Sequence, residues 1–185
     1  AGMHWEAALE DGARVTAGFP VATIRGEARS LLQGERVALN FLQRLSGIAT
    51  LTATYVAKAR EGSAHVLVTD TRKTTPGLRA FEKYAVRTGG GANHRFGLSD
   101  GVLVKDNHLA ALAQAGISLR AALQAARRAI PHTARIEVEV ESVAGAREAL
   151  EAGADILLLD NMTGGEMREA VNLARGRCLT EASGN

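Results

Sequence analysis

A chain of parallel β-strands alternating with α-helices, preceded by a small β-rich segment, is the fold class the sequence predicts. Three observations carry it. Short, almost uninterrupted apolar runs recur after Gly62, each closing in polar residues. Between them lie stretches of Ala, Leu, Glu and Arg with Gly or Pro at their edges, which favour helix. The 185 residues are 46% hydrophobic but only 4% aromatic, the composition of a soluble globular chain of one or two domains.

The opening segment reads as hairpin-like β pieces. Ala7-Ala8-Leu9 precedes the turn Glu10-Asp11-Gly12, Ala13-Arg14-Val15 follows, and after a turn at Ala17-Gly18 comes Val21-Ala22-Thr23-Ile24. From about Ala28 to Arg60, Val37, Phe41, Leu45 and Ile48 recur at helical spacing, with Ser46-Gly47 as an interruption, so a long or kinked helix is expected. A domain boundary is expected near residues 26 to 45.

Five strands follow: His65-Val66-Leu67-Val68; Val102-Leu103-Val104; Ile136 to Val140; Ile156 to Leu159; and Cys178-Leu179. Ser118 to Ile130, Ser142 to Ala152 and Thr163 to Ala174 are the intervening helices. Repeated β-then-α units imply parallel strands with right-handed crossovers, and chemistry at the carboxyl strand ends. Five strands are too few for a closed eight-stranded barrel, which leaves an open sheet or further strands beyond Asn185. The opening at Ala1-Gly2-Met3 and the end at Ser183-Gly184-Asn185 are those expected of the middle of a longer sequence.

Charge and cysteine usage exclude several classes. With Lys+Arg at 22 and Asp+Glu at 20, the net charge of +2 is not that of a nucleic-acid-binding polycation. Trp5, Tyr55 and Tyr84 are too scattered to stack bases. Apolar runs fall far short of the roughly 20 residues that span a bilayer, and the N-terminus has no features of a secretory signal. The single Cys178 cannot form an intrachain disulfide or a multi-thiolate zinc site, so it reads as a buried small hydrophobe in a reducing, cytoplasmic setting. His4, His65 and His132 lack ligand-like spacing.

The candidate chemistry is concentrated in two places. Arg72, Lys73, Arg79, Lys83, Arg87, His94, Arg95, Lys105 and His108 fall between Thr69 and His108, a cation density suited to a ligand with several carboxylates or phosphates. Arg79, Lys83 and Arg87, spaced near four, are read as a solvated helix face. For Arg72, Lys73 and Lys105, which follow strands, ligand binding and solvation are equally open on residue type alone. Gly89-Gly90-Gly91 fits an anion-cradling backbone and a surface loop equally well. The acids are the second group: Glu137, Glu139 and Glu141 alternate along one strand, and Asp160 ends the next, a set of oxygens that suits magnesium beside substrate phosphates. At least one of the three glutamates is expected to face solvent or pair with a cation such as Arg135.

These segments resemble a known family. Glu35-Arg36, Leu45-Ser46-Gly47-Ile48-Ala49-Thr50, Asp70-Thr71-Arg72-Lys73-Thr74-Thr75-Pro76-Gly77-Leu78-Arg79, Lys83 through Arg95, Lys105-Asp106-Asn107-His108, Glu137 through Glu141, Leu158-Leu159-Asp160-Asn161-Met162 and Glu181-Ala182-Ser183-Gly184 together are similar to quinolinate phosphoribosyltransferases. The resemblance implies a partial N-terminal α/β sandwich with a linking helix over residues 1–45. It implies an incomplete α/β barrel of the type II phosphoribosyltransferase kind over 46–185, truncated at both ends. It further implies phosphoribosyl transfer from phosphoribosyl pyrophosphate to quinolinate with decarboxylation, Mg2+ as cofactor, and a homodimer or assembly of dimers.

On the matching positions, Arg72, His94, Arg95 and Lys105 would hold the quinolinate carboxylates, with Arg36 reaching in from the neighbouring subunit. Lys73 would meet the donor and the pyridine carboxylates. Glu139 and Asp160 would organise Mg2+ and the ribose, and Ser183 and Gly184 would begin the 5′-phosphate site. Lys73, Lys105, Glu139 and Asp160 are thus the expected catalytic set. The rivals are a same-fold phosphoribosyltransferase with another acceptor, and a Schiff-base aldolase using Lys105.

Overall fold

The computed structural model describes residues 2–184, which form two compact units, one ending at Phe96 and the other beginning at Gly97. In the first unit, strands β1 (His4–Ala7) and β2 (Ala22–Arg25) pair antiparallel in the register His4↔Arg25 to Ala7↔Ala22. The expected piece at Ala13-Arg14-Val15 is not a strand, and its Val15 is 51% exposed with no neighbouring ladder.

Helix α1 (Ala28–Gly62) runs unbroken through Ser46-Gly47. A glycine lowers helix propensity by about 1 kcal/mol, too little to stop a helix of 35 residues. Helix α2 (Arg79–Thr88) packs on it. Phe41 and Phe81 meet with ring centroids 5.6 Å apart, and Arg44 pairs with Glu82 at 2.6 Å. Burial pushes the Glu82 carboxyl up, but hydrogen bonds from Arg44 and Thr75 outweigh it and hold the group below the usual glutamate value.

The expected strand at His65 to Val68 does not form. Among the described residues a single parallel bridge, Thr69↔Ala92, adjoins this run in place of a ladder, and Leu67 is 73% exposed. Apolar, β-branched residues favour extended backbone, but a strand needs a ladder beside it, and here the adjoining segment lends one residue.

The second unit is a four-stranded parallel sheet in the order β3 (Val102–Val104), β4 (Ile136–Val140), β5 (Ile156–Asp160) and β6 (Leu179–Ser183). Helices α3 (Asp106–Gln114) and α4 (Leu119–Ala129) link β3 to β4; α5 (Val143–Ala152) and α6 (Gly164–Ala174) make the later crossovers. Local chemistry sets their ends. Ser118 and Ser142 accept the N–H groups of Ala121 and Gly145, Thr163 and Glu166 form a reciprocal capping box, and Gly153 closes α5 in the left-handed region at φ 97°.

The period of two divides the sheet into unlike faces. Val104, Ile136, Val138, Val140, Leu157 and Leu159 are buried in the core with Ala146, Ala149, Ala170 and Ala174, whose small side chains let the helices approach closely. By register, Leu103, Glu137, Glu139, Leu158, Asp160, Glu181 and Ser183 share the opposite face.

Asp155 secures the entry to β5. Its Oδ2 accepts from the backbone N–H of Ile136 and from Arg127, both at 2.7 Å. Burial would raise its carboxyl, yet the Arg127 and Ile136 hydrogen bonds and the charges of Arg127 and Arg135 hold it below the usual 3.8. A group depressed in the folded state stabilises above its unfolded value and loses that contribution as pH falls through the folded one. The melting-temperature gap between parent and Asp155→Ala is therefore expected to be constant at neutral pH and to close below about pH 4. A gap that persists into strong acid would refute the charge assignment.

Candidate active site

The polar face of the second unit ends in a row of functional groups supplied one per strand. Lys105, immediately after β3, donates from Nζ to Glu139 Oε2 on β4 at 2.8 Å. Its backbone N–H donates to His108 Nδ1 at 3.0 Å, fixing the residue where α3 begins. Asp160, ending β5, accepts from Ser183 Oγ on β6 at 2.5 Å and from Asn161 Nδ2 at 2.8 Å.

Asn161 has φ 52°, a left-handed conformation that Asn tolerates better than most residues, and its N–H donates to the Ser183 carbonyl at 3.0 Å. Gly184, at φ 150°, lies against that turn; a Cβ there would sit 3.1 Å from Asn161 Oδ1. Ser183 and Gly184 are thus joined to the Asp160 turn as one piece.

Glu139 and Asp160 project from the same face of adjacent strands, because Glu139 is level with Leu158 and Asp160 lies two residues further on. They offer only hard oxygen donors, the chemistry that Mg2+ selects. Glu137 is buried at 3% exposure, whereas Glu141 faces solvent, so the three alternating glutamates occupy three different environments.

The first unit holds the other cationic segments. Asp70 binds both of them: its carboxylate accepts from Lys83 Nζ, from Asn93 Nδ2 at 2.5 Å and from the His94 N–H at 3.0 Å. Arg72 and Lys73 follow two and three residues later, and Lys73 N–H donates to Thr71 Oγ1 at 3.0 Å. Arg72 Nε is buried without a hydrogen-bond partner among the described residues, as a donor reserved for an anionic ligand would be. Arg79 donates to the carbonyls of Arg72 and Phe96 at 3.4 and 3.1 Å, one in each cationic stretch or beside it. Arg36 is exposed on α1.

Two readings need correction. Lys83 does not belong to a solvated helix face: it is 3% exposed and ion-paired, and Arg79 is half-buried, leaving only Arg87 of the three in solvent. A spacing near four places residues on one face without saying what that face meets. The triple glycine is neither an anion cradle nor a loose loop, because its three N–H groups donate to the carbonyls of Ala85, Arg87 and Val86. A Cβ on Gly89 would fall 2.3 Å from the Ala49 carbonyl oxygen, and one on Gly91 would fall 2.8 Å from Val86 Cγ1, so both are demanded by packing.

Sequence reasoning missed Asp70 and Lys83 as partners, and Asn161 as the turn that carries Asp160. The available signals were an acid directly after an apolar run and an Asp-Asn pair at a strand end, where Asn is favoured for left-handed backbone.

Lys105, Glu139 and Asp160 at successive carboxyl ends place this protein in the class of α/β domains whose parallel strands gather polar groups at that edge, where ligands bind in such folds. The chain belongs to the quinolinate phosphoribosyl transferase family: the family's N-terminal domain matches residues 1–46 and its C-terminal domain residues 48–185. A Bacillus subtilis relative named probable nicotinate-nucleotide pyrophosphorylase (carboxylating) is 48% identical over 95% of this chain and 58% of its own length. The human nicotinate-nucleotide pyrophosphorylase (carboxylating) is 44% identical over 95% of this chain and 59% of its own. The crystal structure of NadC from Streptococcus pyogenes superposes with a TM-score of 0.88 at 52% identity, covering 99% of this chain and 63% of that one. The chain thus spans about three fifths of the length of these relatives. None of its described helices is long and apolar enough to cross a membrane.

Proposed function

We propose that this protein transfers the phosphoribosyl group of phosphoribosyl pyrophosphate to quinolinate, giving nicotinate mononucleotide, CO2 and pyrophosphate. The observation that carries the reading is the match of both family domains, in order, along the whole chain. The buried, unpartnered Arg72 Nε supports it, because quinolinate is a dicarboxylate and guanidinium matches carboxylate geometry.

In this reading Arg72, His94, Arg95 and Lys105 hold the quinolinate carboxylates, and Arg36 serves the site of a second copy in a homodimer or larger assembly. Lys73 faces the donor. The pyridine nitrogen attacks the anomeric carbon while the bond to pyrophosphate breaks, its electron pair leaving with the pyrophosphate. Loss of the 2-carboxylate as CO2 leaves an electron pair on the ring carbon, which takes a proton. Glu139 and Asp160 stabilise the positive charge that develops on the ribose, and Ser183 and Gly184 open the 5′-phosphate site. Glu139 and Asp160 would also hold Mg2+, whose chemistry is to neutralise pyrophosphate. The domain division at 45/46 and a cytoplasmic location belong to the same reading, supported respectively by the meeting point of the two family matches and by the single cysteine.

The aldolase alternative has less support: Lys105 is engaged with Glu139 as a charged donor, a role in binding rather than in nucleophilic attack. Borohydride trapping should give no adduct.

The deciding assay is release of CO2 from carboxyl-labelled quinolinate in the full-length protein, beside a parallel nicotinate reaction. Release that requires both donor and magnesium, with no nucleotide formed from nicotinate, supports the proposal; silence with quinolinate and turnover with nicotinate overturns it. Arg95→Ala is expected to weaken quinolinate binding about ten- to a hundredfold, the loss of a charge-assisted hydrogen bond, while sparing the donor. Calorimetric titration of each substrate separates the two, and unchanged quinolinate affinity removes Arg95 from the site.

A further inference from the structure

The two cationic segments of the first unit, Arg72-Lys73 and His94-Arg95, carry like charges that repel. What stands at their junction is a buried ion pair. Lys83 and Asp70 side chains are 4% and 8% exposed, and the contact between them is direct. Lys83 Nζ also donates to the His94 carbonyl at 3.0 Å, while Asp70 accepts the His94 N–H at 3.0 Å, so the pair grips both sides of one residue. Asn93 Nδ2 completes the ring, reaching Asp70 Oδ2 at 2.5 Å and the Lys83 carbonyl at 2.9 Å. The Asp70 N–H and the Ala92 N–H add backbone bonds to Ala92 and Val68 at 3.2 and 2.8 Å.

Burying two charges is a weak way to stabilise a fold, because desolvation offsets the attraction. It is a strong way to specify one arrangement, since each charge is intolerable without its partner. Both ends of this pair lead into segments whose cations the quinolinate reading assigns to the ligand, whereas Lys83 is turned inward onto Asp70. We propose that Lys83 and Asp70 are positioning residues, a buried strut that sets the spacing of the Arg72-Lys73 and His94-Arg95 segments before a dicarboxylate arrives. The inference rests on the quinolinate reading for its ligand but not for its geometry. It makes Asn93 an auxiliary tie, and it assigns to α2 the task of carrying the strut rather than of facing solvent.

The test uses the full-length protein with Lys83→Met and Asp70→Asn combined, which removes both charges and leaves neither one orphaned. Amide hydrogen exchange is read at residues 70–75 and 92–96, and at Val138 and Leu157 as a control in the other unit. Titrations with quinolinate and with phosphoribosyl pyrophosphate accompany it. Expected are exchange accelerated at least tenfold in the two segments and unchanged at the controls, quinolinate affinity weakened at least tenfold, and donor affinity within twofold of the parent. Exchange at parent rates in both segments overturns the strut. So does quinolinate affinity within twofold of the parent.

A parent protein that does not bind quinolinate would sink the functional reading alone, because the exchange measurement still decides the strut. If the double variant does not fold, Asn93→Ala at an exposed position takes its place. That variant is expected to weaken quinolinate binding severalfold and to speed exchange at His94. Parent values for both would overturn the proposal.

Discussion

Glu139→Gln is expected to lower the maximal rate of phosphoribosyl transfer by a hundredfold or more, while quinolinate affinity stays within a few-fold of the parent. Glutamine matches glutamate in size and retains one acceptor oxygen, so the bond from Lys105 at 2.8 Å has a replacement and the fold should melt as before. What disappears is a negative charge. Glu139 has a side chain only 10% exposed, where the surroundings screen charge less than water does. In the proposed reaction a carboxylate there would stabilise the positive charge that grows on the ribose only as the bond to pyrophosphate breaks, so its removal should fall on the rate and not on ground-state binding. Losses of about 10²–10³ accompany removal of one preorganised electrostatic group of this kind. Labelled CO2 release at saturating substrates, repeated across a magnesium titration, measures it. A maximal rate within threefold of the parent, with the parent's magnesium response, would take Glu139 out of the chemistry.

The strand-end acids were legible because their position follows from periodicity alone. An apolar run of four ending in Asp160, beside a strand that alternates Ile136-Glu137-Val138-Glu139, can be buried on its aliphatic side only by presenting its acids on the other. The capped helices between the strands were legible for a similarly local reason, with Ser118, Ser142 and Thr163 each announcing a helix start. The His65 to Val68 run was misread because strand formation depends on a neighbour, which sequence pattern does not reveal. Lys83 was misread for a related reason. Whether a lysine on a helix is solvated depends on what packs over it, and that is decided by Asp70 and His94, eleven to thirteen residues away along the chain. Charge density located the candidate site, but only tertiary structure showed that Lys83 is drawn inward onto Asp70 and the His94 carbonyl.

The same distinction makes Gly89 the glycine whose replacement should do most damage. Gly89→Ala is expected to destabilise the protein by about 3 kcal/mol, the upper end of what an overpacked interior contact costs. The glycine's φ of −76° is open to any residue, so the penalty is not conformational strain. It is steric: the new Cβ would lie 2.3 Å from the Ala49 carbonyl oxygen and 2.8 Å from Thr52 Cβ. Ala49 belongs to the interior of α1 and cannot give way without disturbing that helix, so α2 must lift. For a chain of this size the melting temperature should fall by roughly 6–12 °C. Gly47→Ala is the matched contrast, in the same long helix but with nothing within 4 Å of the added methyl, and it should stabilise by about 0.5–1 kcal/mol. Opposite signs from the two glycines would establish that the close approach of α2 to α1, and not glycine content, decides the effect. Because α2 carries Lys83, a lifted helix should also loosen the strut to Asp70 and weaken quinolinate binding, whereas Gly47→Ala should leave binding untouched. Equal melting of Gly89→Ala and parent would refute the close approach on which both expectations rest.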